Sequence, residues 1–130
     1  MVTPGIPLGD ENDQPLTRED LHVTCAAKRG AVETYPFGAE TAVYKVGGKM
    51  FALVPRDAEP AHVSLKCDPE WSEVLRKAYP AVQPGYHLNK KHWNTIVLDG
   101  SVPDDEVEEL IRHSYELVVE SLPRRVRAEL

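Results

Sequence analysis

The chain has 130 residues, 42% of them apolar and 28% charged, one globular domain's worth of sequence with enough apolar side chains for a core. Its 15 lysines and arginines against 21 aspartates and glutamates leave a formal charge of −6, the opposite of the basic footprint usual in a dedicated nucleic-acid binder. No apolar run approaches the roughly 18 residues of a membrane span, and two cysteines outside any CxxC pattern exclude a disulfide scaffold and a four-ligand zinc site.

Residues 1–15 carry Pro4, Gly5, Pro7, Gly9 and Pro15 among Asp10, Glu11 and Asp13. Breakers and charges at this density predict a flexible lead-in over 1–16 rather than a signal peptide. A cytoplasmic protein with reduced, buried Cys25 and Cys67 is the matching expectation. Thr17 with Asp20 three residues later approximates a capping box, so a helix should run from 17 to about 28, stopped by Gly30.

Short strands are expected at 31–35, 42–46, 49–54 and 62–67. Gly47-Gly48 between two such runs predicts a tight hairpin, because primed turns need positive φ. A regular ladder from that turn pairs Val46 with Lys49, Tyr44 with Phe51 and Ala42 with Leu53. Tyr44, Phe51 and Leu53 then share the core face, with Val43, Lys45, Met50 and Ala52 opposite. Alternation in 62–67 puts Val63, Leu65 and Cys67 on one side and His62, Ser64 and Lys66 on the other.

Asp68-Pro69 should open a second helix, with Asp as N-cap and Pro in the first position. Trp71, Val74, Leu75 and Ala78 form its predicted apolar stripe, and Tyr79-Pro80 its end. Residues 80–92 read as a long connection, 93–98 as a strand, and Asp99-Gly100 as a turn. The last helix is predicted from the Ser101 cap, with Pro103 in the first turn and five carboxylates, Asp104, Asp105, Glu106, Glu108 and Glu109, near the positive end of its dipole. Val107, Leu110, Ile111, Ser114, Val118, Ser121 and Leu122 make its inner face, and Pro123 ends it ahead of a basic stretch over 124–130. Strands grouped together between helices predict an α+β fold: a compact two-layer domain over 17–123, with a mainly antiparallel sheet and helices on one face.

Chemistry concentrates in one place. From Val74 to Leu98 there is no Asp or Glu, while Arg76, Lys77, His87, Lys90, Lys91 and His92 fall inside that window. Lysines neutralise phosphates, aromatic rings stack on bases, and Asn and His hydrogen-bond to either. Lys45, Lys49 and Lys66 would extend the patch if the outer sheet face adjoins the loop. A solvated loop with Tyr86 and Trp93 packed inward is the plainer alternative. His87 and His92 alone converge no metal ligands, the acidic helix start splays its carboxylates around the axis, and no nucleophile–base pair or cofactor fingerprint exists. The expectation is therefore a binding protein, not an enzyme, with no cofactor and no metal.

The run Tyr44-Lys45-Val46-Gly47-Gly48-Lys49-Met50-Phe51-Ala52-Leu53 resembles the central hairpin of the MmcQ/YjbR family. Val63-Ser64-Leu65-Lys66-Cys67-Asp68-Pro69-Glu70, the Pro84 to Trp93 loop, Leu98-Asp99-Gly100-Ser101-Val102-Pro103-Asp104, Pro36-Phe37-Gly38 and His113-Ser114-Tyr115 fit the same pattern, so the resemblance spans residues 17–123. It implies a CyaY-like (frataxin-like) fold with similarity to a double-wing DNA-binding module. It also implies a DNA-contacting set: Lys45, Lys49, Lys66, His87, Asn89, Lys90, Lys91, His92 and Trp93. The phosphates would fall to the lysines and histidines, with Trp93 holding the loop in shape. The alternative is an adaptor whose same loop takes an acidic protein or a small anion. Metal binding of the frataxin type, through 104–109, ranks below both.

Overall fold

A computed structural model of the chain describes residues 16–85 and 88–130; most of the expected lead-in, together with Tyr86 and His87, lies outside them. Helix α1 (Arg18–Ala26) starts at the expected capping box: the Thr17 hydroxyl accepts from the Asp20 amide at 3.1 Å and the Asp20 carboxylate accepts from the Thr17 amide at 2.9 Å. It turns Leu21 and Cys25 into the core. Burial pushes the Cys25 thiol up to about 12, and likewise raises that of Cys67, so both are poor nucleophiles.

Six strands follow: β1 (Val32–Thr34), β2 (Thr41–Val46), β3 (Lys49–Pro55), β4 (His62–Lys66), β5 (Val82–Pro84) and β6 (Trp93–Val97). They form one antiparallel sheet in the order β1-β2-β3-β4-β6-β5. Strand β5 occupies three residues of the stretch expected to be only a connection. Three residues are too few to show a period, and Pro84 is tolerated there because β5 is an edge strand.

Gly47 and Gly48 have φ of +59° and +82°, and the hairpin starts in the predicted register, Val46 opposite Lys49. It does not stay there. After Lys45–Met50 the ladder slips at a bulge, so Tyr44 faces Ala52, Val43 faces Leu53 and Ala42 faces Val54. The unpaired Phe51 is seated in the core, between Tyr44 at 6.4 Å and Tyr115, edge-on at 5.4 Å. The bulge puts Phe51 and Ala52 both in the core and sends Leu53 to the other face, correcting the face expected for Ala52 and Leu53.

Helix α2 (Pro69–Ala78) is capped by Asp68 as expected, but its inner stripe is rotated. Ser72 and Leu75 are buried, whereas Val74 is 62% exposed and Ala78 is also outside. The rotation brings Ser72 to Asn94 on β6, where the Asn94 amide donates to the Ser72 hydroxyl at 3.1 Å. Helix α3 (Asp104–Ser121) begins after Pro103, not at Ser101, whose amide and hydroxyl instead both bond Asp99 in a turn. Its predicted inner residues Val107, Leu110, Ile111, Ser114 and Val118 are buried under β3 and β4, while Ser121 is exposed. The basic end forms a short helix, α4 (Arg124–Ala128). No described helix is long and apolar enough to cross a membrane.

His113 locks α3 to the start of α2. Its ring meets Trp71 edge-on at 4.6 Å, and its Nε2 accepts the Asp68 amide at 3.2 Å, which requires the neutral imidazole. Burial lowers its pKa below the ordinary histidine value, so the folded chain binds this proton less well than the unfolded chain. The stability this contributes is complete above the unfolded value of about 6.5 and is lost as pH falls through the lower folded value. Urea midpoints measured from pH 8 down to pH 5 should therefore fall below about pH 6.5. His113→Gln should flatten that slope; an unchanged slope in the variant would assign it to other groups.

Candidate nucleic-acid interface

Helices α1, α2 and α3 all pack on one side of the sheet, so among the described residues no helix covers the other, open side. Alternation along each strand decides which side chains reach it. Tyr44, Leu65 and Asn94 point at the helices; Lys45, Lys66 and Trp93, next to them in sequence, point the other way. Lys66 lies opposite Trp93 across β4 and β6, and Leu65 lies opposite Ala52 on β3, so Lys45 and Lys66 end up at the same end of the open face. Lys49 sits beside the Gly47-Gly48 turn at that end. The sheet thus joins Lys45 and Lys66, separated in sequence, to the loop before β6, whereas Lys49, paired with the core residue Val46, falls on the helix side and does not extend this face as expected.

That loop is folded by its own polar groups. The Asn89 carbonyl accepts from the amides of His92 and Trp93 at 3.2 and 3.0 Å, and its side-chain oxygen accepts from the Lys91 amide at 2.9 Å. The Lys90 ammonium donates to the Gly85 carbonyl at 3.2 Å. Gly85 is required where it is: a Cβ there would lie 2.8 Å from that of Trp93. Trp93 is only 8% exposed, which makes it a support for the loop and not a stacking platform. Lys49, Asn89, Lys90, Lys91 and His92 are exposed, and Lys45 and Lys66 are half-buried. His87, the remaining member of the expected set, lies outside the described residues.

Arg76 was legible only as one more positive charge. Its guanidinium is in fact the clamp between α2 and the loop: Nε donates to Asn94 Oδ1 at 2.7 Å, and Nη2 to the carbonyls of Lys90 and Trp93 at 2.5 and 3.2 Å. The available signal was its i, i+4 spacing from Ser72, which puts two polar residues on one helix face.

The net charge is not spread evenly. Helix α3 holds seven of the 21 carboxylates and one of the 15 cationic side chains, so it accounts for the whole −6 and the rest of the chain is balanced. Glu33 is the one carboxylate in any described strand, and it is turned to the helix side, where it accepts from the Tyr44 hydroxyl at 3.1 Å. The described strands therefore present lysines without carboxylates on the open face, and α3 lies on the other side of the sheet. Among the described residues no three His, Cys, Asp or Glu side chains converge as a metal site.

Residues 26–117 match the YjbR family model. The chain is 38% identical over 112 residues to the uncharacterized protein YjbR of Escherichia coli K12, covering 86% of this chain and 95% of that protein. It is 33% identical over 116 residues to the uncharacterized protein YyaQ of Bacillus subtilis 168, covering 78% and 98%. The crystal structure of Deinococcus radiodurans protein DR2400 superposes with a TM-score of 0.82 at 45% identity, covering 87% of this chain and 86% of that one. A crystal structure from Pseudomonas syringae superposes with a TM-score of 0.69 at 26% identity, covering 79% and 99%.

Proposed function

The chain belongs to the YjbR family, and from the cationic end of its open sheet face we propose that it is a DNA-binding protein without catalytic activity. One observation carries this: Lys45 and Lys66 share the open face, where no described strand places a carboxylate, and adjoin the loop bearing Lys90, Lys91 and His92. The global acidity that argues against a polyanion partner resides in α3, on the opposite side. The ammonium groups contact phosphates, which gives affinity and registration but little sequence preference. Trp93 and Asn89 contribute by shaping the loop.

Fluorescence anisotropy with labelled duplex and single-stranded DNA, across a series from about 50 to about 200 mM salt, tests this directly. Binding should weaken linearly on a log–log plot. Replacing Lys45, Lys66 and Lys91 together by Ala should make the duplex slope shallower by roughly 2.7, at about 0.9 for each phosphate that is no longer neutralised. No binding to either form at the lowest salt overturns the proposal and leaves an acidic protein or small anion as the partner of this patch.

A further inference from the structure

The open face has a second zone, away from the glycine turn, where it sinks into a half-open cleft of about 690 Å³. That volume is within the range of small-molecule sites, roughly 300–1,000 Å³. Phe37, Leu53, Pro55, Pro84, Leu88 and Val97 make its apolar walls. Thr41, His62, Ser64, Gln83 and Thr95 supply its polar groups, and among the described residues no carboxylate, ammonium or guanidinium lines it. The Ser64 and Thr95 hydroxyls bond each other at 2.8 Å on its floor, each residue 7% exposed.

Two features separate this hollow from an ordinary solvated sheet face. Leu53 stands on a central strand of six, where an uncovered face would ordinarily present polar side chains, and it is there because the bulge at Phe51 reversed its direction. Phe37, at the edge of the cleft, is 64% exposed although it is a large aromatic. Apolar walls with a few convergent polar groups are the usual composition of a small-ligand site.

We propose that this cleft binds an uncharged, ring-containing small molecule with an amide-type hydrogen-bonding edge. The ring packs against Phe37, Leu53 and Val97. The Gln83 carboxamide offers a donor and an acceptor together, which an amide edge matches, and His62 provides a second polar contact. A charged ligand is disfavoured because no carboxylate, ammonium or guanidinium of the described residues lines the cleft, and an unpaired charge loses its hydration on entry. The cleft does not rest on DNA binding, which uses the opposite end of the same face.

The experiment is an amide NMR titration of the full chain at pH 8 with two probes of one shape, neutral 2-naphthamide and anionic 2-naphthoate. Naphthamide should give saturable shifts at Leu53, Ser64, Thr95 and Val97, with a Kd of about 1 mM or tighter, the strength roughly a dozen well-seated heavy atoms supply. Naphthoate should bind at least tenfold more weakly. Leu53→Lys should weaken naphthamide by at least tenfold, and Val97→Lys, on another strand, should do the same if the first variant does not fold. Absence of saturable shifts, equal binding of the two probes, or shifts that persist in a folded variant overturns the proposal. Because a lysine added to the open face would itself attract phosphate, anisotropy on the unsubstituted chain, which carries both sites, separates the two results.

Discussion

Ser114→Ala should lower the unfolding free energy by about 2–4 kcal/mol, a large effect for the loss of one oxygen. Ser114 is fully buried on α3. Its hydroxyl donates to the Phe51 carbonyl at 2.6 Å and accepts from the Lys66 amide at 2.9 Å. The β3–β4 ladder pairs Ala52 with Leu65 and Leu53 with Ser64; at Phe51 it meets the bulge. The hydroxyl therefore stands between a carbonyl and an amide that a regular sheet would have joined. Alanine opens almost no cavity, but it strands two buried backbone groups, each costing about 1–3 kcal/mol without a partner. Urea denaturation checks the magnitude, and amide exchange at Lys66 checks the location. A loss below about 1 kcal/mol would mean that the strands close the gap themselves.

The second large effect is expected at Arg76. Arg76→Ala should cost about 2–3 kcal/mol, because it removes three bonds from a charged donor and leaves the Asn94 oxygen, in a residue only 2% exposed, without that donor. Lysine should not rescue it: a single ammonium lacks the planar fork that reaches Asn94 and the two carbonyls at once. Denaturation of both variants gives the stability change. Hydrogen exchange over residues 88–93 should rise far more than exchange in α3. If the loop's protection is unchanged in Arg76→Ala, its fold is held by Asn89 and Gly85 alone and the clamp has been misassigned.

Much of the fold was legible from local residues. Thr17 with Asp20, Asp68-Pro69 and Gly47-Gly48 each mark an element boundary through groups only a few positions apart. The alternation at His62–Lys66 and the inner stripe of α3 also follow from short periods. The family resemblance agrees with the match over residues 26–117. The candidate site was legible as a list of cations, since an acid-free window shows in sequence. Which of them share a surface was not, because Lys45, Lys66 and the loop meet only through strand pairing.

By itself, then, the sequence determined the helix caps, the glycine turn, the strand alternation and the α+β class. These rest on dihedral preferences and hydrogen bonds within a turn or two of the chain. Only the tertiary structure decided the bulge at Phe51, the rotation of α2, the use of Arg76 as a clamp and the confinement of the net charge to the helix side. Each depends on a partner far along the chain: Ser114 is 63 residues from the Phe51 carbonyl it satisfies, and Arg76 is 18 from Asn94. Buried polar groups take whatever partner the packed fold supplies, and that choice overrides local periodicity because leaving them unpaired costs more than turning a helix or bending a strand.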